Sequence, residues 1–160
     1  MNRKREAIEQ YIILNQDSLY RLAYSYVRNR EQALDIVQDS IVKALDKAGT
    51  LKDIASVKSW YYGILVNTAL DYMRKNKRTV LTDTIESLSD GSQEDISENI
   101  SITDSLYALS EQQRTIIIMR FFEDMKLSDI SKILGVNLST VKTRLYKALD
   151  ILKIELKEVD

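Results

Sequence analysis

The chain of 160 residues contains no cysteine, no histidine and no proline, and only four glycines. The first two absences exclude disulfides, the usual cysteine and histidine zinc sites, a thiolate nucleophile and every triad built on an imidazole base. Catalytic readings are thereby confined to carboxylates, lysine, tyrosine or serine. Neither a phosphate-cradling glycine loop nor a dinucleotide fingerprint is present, so no cofactor is expected. With no proline, and glycine only at Gly49, Gly63, Gly91 and Gly135, long helical runs meet few of the residues that break them. An all-α fold follows. Apolar runs fall far short of the ~20 residues that a membrane-spanning helix requires. The basic cluster Arg3, Lys4 and Arg5 leads into Glu6, Glu9 and Gln10, not into the apolar core of a signal peptide, so a cytoplasmic protein is expected.

What is present, 44% hydrophobic and 29% charged residues, fits a soluble globular protein of one or two small domains. The organising stretch is Leu127 to Leu152, LSDISKILGVNLSTVKTRLYKALDIL. It reads as two helices joined by a turn. Ser128 is placed to cap a first short helix with Ile130, Ile133 and Leu134 facing inward, and Gly135 supplies the left-handed residue that ends it. Ser131 is small enough to let a second helix cross closely. Asn137 is suited to cap that helix, and Val141, Leu145, Leu149 and Leu152 recur as its buried stripe. The opposite face carries Ser139, Lys142, Thr143, Tyr146 and Lys147. Such hydroxyls, cations and a ring on a helix entering the major groove can meet base edges and phosphates. The plainer reading is an amphipathic hairpin with a solvated face.

Earlier in the chain, Ile8, Tyr11 and Ile12 mark a leading helix. Asn15 or Asp17 can cap a second, faced by Leu19, Leu22, Ala23 and Tyr26. A third starts at Asn29 or Arg30, with Ala33, Ile36, Val37, Ile41, Ala44 and Leu45 inward and Asp35, Gln38, Asp39 and Lys43 outside. Such an acidic face is most often merely solvated. After a polar loop from Gly49 to Ser56, one long helix runs from Val57 to Lys77. One of its stripes reads Trp60, Ile64, Asn67, Asp71, Arg74 and Arg78, and its neighbour Tyr61, Leu65 and Tyr72. Aromatic rings beside Lys58, Arg74, Lys75, Lys77 and Arg78 suit unstacked bases and a phosphate backbone, although any one ring taken alone is more often simply core.

From Leu81 to Asp104 the pattern breaks. Asp83, Glu86, Asp90, Glu94, Asp95, Glu98 and Asp104 occur there with no basic residue, among serines and threonines, which is the composition of a flexible linker. These seven account for the net charge of −1: the rest of the chain holds 23 basic against 17 acidic residues. Polyanion binding by the flanking regions is therefore permitted. Residues 1–80 and 104–160 are read as two small helical domains joined by an acidic linker, 81–103. The second opens at Leu106 to Leu109, with Ser110 and Gln113 as a capping box and Ile116, Ile117, Met119 and Phe122 as core; Ile154 and Leu156 extend its last helix.

DIVQDSIVKAL, SVKSWYYGILVNTALDYMRKNKR and the segment from Leu109 to Lys153 together resemble the extracytoplasmic-function (ECF) sigma factors of bacterial RNA polymerase, in order and over nearly the whole chain. The wording is similar to the sigma-V-type subgroup of Gram-positive bacteria. The resemblance implies sigma domain two and a helix-turn-helix sigma domain four, with no enzymatic activity of the chain's own. Implied partners are core RNA polymerase (the largest-subunit clamp and the flap), promoter DNA and a membrane-bound anti-sigma factor. Carried over residue by residue, Asp35, Gln38 and Asp39 bind polymerase. The loop Gly49 to Ser56, including Leu51, pockets a flipped non-template base with Asn67, and Trp60, Arg74, Lys75 and Arg78 complete the minus-ten contact. Thr140, Lys142, Thr143, Tyr146 and Lys147 meet the minus-thirty-five element, with Ser139 and Arg144 on phosphates. Two positions depart from the family pattern: Gly63 stands where a basic residue is common, and Ser110 where proline is. The competing readings are a stand-alone helix-turn-helix regulator with a ligand-sensing first domain, and a helical adaptor that binds only protein.

Overall fold

The computed structural model describes residues 3–82 and 105–159, with side chains over 3–76 and 105–153. The acidic linker from Asp83 onward, the side chains of Lys77 and Arg78, and those of Ile154 and Leu156 lie outside the described residues. Every regular element among the described residues is helical, and the chain divides into two compact units.

The first unit holds α1 (Arg3–Leu14), α2 (Gln16–Val27), α3 (Arg30–Asp46) and α4 (Val57–Thr82). Helix α2 packs on α3 and α4, and α1 closes against α3 and α4. Their shared interior is filled by Ile8, Leu19, Leu22, Ile36, Tyr61, Tyr62 and Leu65, all 0% exposed. Burial of each such side chain contributes roughly 1.5–3 kcal/mol, which explains why helices with modest internal propensity persist. Asn29 caps α3, its Oδ1 accepting from Gln32 N at 2.9 Å. Asn15 occupies the corresponding position before α2 but does not cap it. Its Nδ2 donates back to the Tyr11 carbonyl at 2.8 Å, so the residue closes α1. Helix α2 ends at Arg28, which takes the left-handed conformation (φ 50°) with its N–H donating to the Tyr24 carbonyl at 2.8 Å.

On α3, Ala33, Ile36 and Ala44 are buried as expected, but Ser40 joins them while Val37, Ile41 and Leu45 are only half-buried. The polar residue is accommodated because its hydroxyl donates to the Val37 carbonyl at 2.7 Å and lies 2.6 Å from Tyr61 Oη. With the single Ser40 proton committed to Val37, the Tyr61 hydroxyl is the donor in that second bond. Burial pushes the Tyr61 phenol up to about 12, partly opposed by the Ser40 hydroxyl. Lys43, expected outside, is half-buried.

In the second unit, α5 (Glu111–Ile117), α6 (Leu127–Leu134) and α7 (Leu138–Val159) surround a core of Ile116, Ile118, Met119, Ile130, Val141 and Ala148. The capping box at the head of α5 forms: Ser110 Oγ accepts from Gln113 N at 3.1 Å, and Gln113 Oε1 from Ser110 N at 3.0 Å. Arg114 is buried, donates to the Leu109 carbonyl at 3.0 Å and sits 4.6 Å above the Tyr107 ring. Helix α5 runs into one π-helical turn, Ile118–Phe122, closed by Glu123 N donating to the Ile118 carbonyl at 3.0 Å. The wider turn shifts the helical register, and this corrects the expectation for Phe122: it is 44% exposed and Phe121 55% exposed.

Candidate nucleic-acid interface

The hairpin from Leu127 onward forms the expected two helices and turn, with one change at its start. Asp129 N and Ile130 N both donate to the Lys126 carbonyl, at 3.0 and 3.1 Å, so Lys126 occupies the N-cap and Ser128 lies inside the first turn. Gly135 ends α6 at φ 69°, its N–H donating to the Ser131 carbonyl at 2.9 Å. Ser131 does more than leave room, because its Oγ donates across the turn to the Val136 carbonyl at 2.7 Å. The Asn137 carbonyl accepts from Val141 N at 3.1 Å and so opens α7. The turn is thus closed by hydrogen bonds whose partners lie within a few residues of each other.

Helix α7 buries Val141, Leu145 and Ala148 and half-buries Leu149 and Leu152. Ser139, Lys142, Thr143, Tyr146 and Lys147 are all exposed, on the face away from that stripe, whereas Thr140 and Arg144 are half-buried along its flanks. Tyr146 is 58% exposed, far more than a core aromatic. The Thr143 hydroxyl donates to the Ser139 carbonyl at 3.0 Å, which leaves its oxygen outward as an acceptor. Cations, a ring and hydroxyl groups therefore form one surface about two helical turns long.

On the first unit the sequence-predicted residues are distributed less simply. Asn67 and Lys75 are exposed on α4 and Trp60 is half-buried near its start. Arg74 is exposed but paired with Asp71 of the same stripe, Nη1 to Oδ1 at 2.8 Å. An exposed pair of this kind is worth about 0–1 kcal/mol, so a phosphate can displace the carboxylate at little cost. Leu51 differs from these: at 1% exposure its side chain plugs the core beneath the α3–α4 loop. The loop itself is two 3-10 turns, Ala48–Thr50 and Ile54–Ser56, and residues Lys52 to Ser56 are exposed.

Asp35, Gln38 and Asp39 form an exposed strip on α3. The sequence reading missed its apolar members, Leu34 at 43% and Val42 at 60% exposure. Their spacing gave a signal, because Leu34, Gln38 and Val42 follow one another at four-residue steps along a face that is otherwise polar. Tyr72 of α4 lies close enough to feel this strip. Burial raises its phenol first, a hydrogen bond with Asn76 opposes the shift, and the charges of Asp35 and Asp39 add to it. Among the described residues no cluster of carboxylates could hold a metal ion, and no helix is long and apolar enough to cross a membrane.

The chain thus combines a helix-turn-helix unit with a second helical unit that carries an exposed acidic strip on α3 and aromatic and basic residues on α4. Residues 12–79 match Sigma-70 region 2, and residues 100–152 match Sigma-70, region 4. The chain is 48% identical over 148 residues to RNA polymerase sigma factor SigV of Bacillus subtilis strain 168, covering 91% of this chain and 89% of that one. It is 30% identical over 146 residues to ECF RNA polymerase sigma factor SigM of Mycobacterium tuberculosis, covering 90% and 74%. Its fold matches the sigma factor RpoE in the co-crystal structure with the anti-sigma factor NepR from Bartonella quintana. That match has a TM-score of 0.78 at 29% identity and covers 93% of this chain and 96% of that one. The chain belongs to the ECF RNA polymerase sigma factors.

Proposed function

We propose that this chain directs core RNA polymerase to promoters by reading two DNA elements with two different physical mechanisms. The second unit reads the minus-thirty-five element as duplex. Helix α7 enters the major groove with Thr140, Thr143 and Tyr146 toward base edges, Lys142 and Lys147 reaching both bases and flanking phosphates, and Ser139 and Arg144 toward phosphates. The observation that carries this is the segregation of α7: exposed Ser139, Lys142, Thr143, Tyr146 and Lys147 lie opposite buried Val141, Leu145 and Ala148.

The first unit reads the minus-ten element as single strand. The loop from Lys52 to Ser56 and Asn67 take an unstacked base of the non-template strand, while Trp60, Arg74, Lys75 and Arg78 follow its backbone. Extruding a base costs a few kcal/mol, and only a base that fits returns that energy, so opening and recognition are one event. No hydrolysis by this chain is required. The strip Leu34, Asp35, Gln38, Asp39 and Val42 docks on the polymerase clamp. Mixed apolar and acidic contacts of that kind provide both buried area and register. In the second unit, exposed Phe121 and Phe122 offer the apolar surface for the flap.

The protein acts in the cytoplasm, as its partners require. A membrane-bound anti-sigma factor holds it inactive; support for such a partner is that RpoE, similar over nearly its whole length, was crystallised with an anti-sigma factor. The test is transcription in vitro from promoter libraries with core polymerase, with and without the purified chain. Initiation from a defined set of start sites is the expected result. A chain that binds one duplex site tightly without polymerase and directs no initiation is instead a stand-alone regulator, and one that leaves DNA occupancy unchanged is an adaptor.

A further inference from the structure

The loop between α3 and α4 is fastened to α4 at one exposed point. Trp60 Nε1–H donates to Thr50 Oγ1 at 3.0 Å, and Thr50 Oγ1 in turn donates to the Lys47 carbonyl at 2.8 Å. A threonine hydroxyl has one proton and two lone pairs, so it can serve both bonds together; valine has the same shape and can serve neither. The next residue, Leu51, is held in the core at 1% exposure. Asp53 then caps the second 3-10 turn, its Oδ1 accepting from Ala55 N at 3.1 Å. The stem of the loop is consequently fixed from outside by Thr50 and from inside by Leu51, and beyond Leu51 the residues Lys52 to Ser56 project. Asn67 follows Trp60 by seven residues, which places it on the same face of α4 about 10 Å further along.

A segment already held in its binding shape avoids the ordering cost that a loose one incurs when a ligand is captured. We propose that Thr50 is a positioning residue for base capture: without touching DNA, its hydroxyl fastens the loop to Trp60, so that Lys52 to Ser56 and Asn67 meet the unstacked base as one preformed surface. This rests on the capture reading given under the proposed function. Nothing in the local sequence marks the residue, because Thr50 and Trp60 are ten positions apart and meet only through the path of the loop.

Trp60 is the sole tryptophan of the chain, so its emission reports directly on the bond to Thr50. The experiment uses the full-length chain with core polymerase at matched occupancy, comparing opening of promoters that carry the preferred and a substituted base at the captured position. Thr50→Val is expected to reduce that preference about three- to tenfold, the scale of one hydrogen bond. Thr50→Ser restores it, and in the free chain the Trp60 emission maximum shifts in the valine variant only. Trp60→Phe, which keeps a ring and removes the donor, reproduces the loss, and combining it with Thr50→Val adds nothing further. Wild-type preference in Thr50→Val, failure of Thr50→Ser to restore a preference the valine variant has lost, or additive losses in the double variant would each overturn the proposal. Should the valine variant fail to fold by circular dichroism, Thr50→Ala, which also removes the hydroxyl, takes its place, and wild-type preference in it overturns the proposal. Asn67→Ala separates the two levels. If it loses the preference while Thr50→Val keeps it, only the positioning role fails; if it too leaves the preference intact, the capture reading itself is wrong.

Discussion

Replacing Lys142 and Lys147 by alanine tests whether α7 meets a polyanion, because the helix itself should tolerate the change. Both side chains are exposed and project away from Val141, Leu145 and Ala148. Alanine is also at least as good a helix former as lysine. Any loss of promoter binding therefore comes from charge, and charge has its own signature. Each phosphate neutralised releases counterions and contributes about 0.9 to the slope of log affinity against log salt. Leaving two phosphates without their lysines should flatten that slope by about 1.8. Between 50 and 200 mM salt, a fourfold span, the gap between wild-type and variant holoenzyme should thus narrow by roughly tenfold. The assay is equilibrium binding of polymerase carrying each form to promoter DNA across a salt series. Lys142→Arg with Lys147→Arg serves as the control, because it keeps the charge and should keep most of the slope. If the alanine variant weakens binding by the same factor at every salt concentration, the two lysines do not contact phosphate and the placement of α7 in the groove is wrong.

Three other outcomes follow from the same geometry. Asp35→Asn with Asp39→Asn should weaken binding to core polymerase on the order of tenfold, with little effect on the melting temperature of the free chain, since both carboxylates are exposed. Unchanged core affinity by fluorescence titration would remove α3 from the docking surface. Tyr61→Phe should cost about 1 kcal/mol at neutral pH through the lost bond to Ser40. Its effect on alkaline stability follows from the phenol, which ionises near 10 when unfolded and is pushed up to about 12 when folded. The unfolded state then loses its proton first, so the wild type loses about 1.4 kcal/mol per pH unit between those values, an increment the phenylalanine variant lacks. Urea titrations from pH 8 to 11.5 check this, and parallel curves would contradict it. Gly63→Ala should stabilise the first unit by ~1 kcal/mol, because a methyl group there meets nothing within 4 Å and removes a mid-helix glycine. A lower melting temperature in that variant would show that the glycine serves a purpose other than filling an open position.

The parts of the fold that were legible in advance are those encoded over a few residues. The capping box of Ser110 and Gln113, the left-handed Gly135 and the exposed face of α7 all arise from residue types and short spacings within or at the end of one helix. Where expectation and structure part, a longer-range or irregular feature intervenes. Helical periodicity assigns Phe122 to the core, and a single π turn moves it to the surface. Ser40 looks out of place in an interior until Tyr61, 21 residues later, gives it a partner. Asn15 has the right chemistry for a cap, but with α1 ending one residue before it, its amide finds the nearer Tyr11 carbonyl.

By itself the sequence determined that the chain would be helical, that imidazole and thiol catalysis were excluded for want of histidine and cysteine, and that one helix near its end would present hydroxyls, lysines and a tyrosine away from its apolar stripe. Composition and periodicity are properties of the covalent chain, so they survive without knowledge of any contact. Only the tertiary structure decided that Leu51 is a plug and Lys52 to Ser56 the exposed tip, that Leu34 and Val42 join the acidic strip, and that Thr50 meets Trp60. Each of these depends on which surfaces are covered when helices distant in sequence pack together, and that outcome is set by the sum of many weak contacts and not by any local pattern.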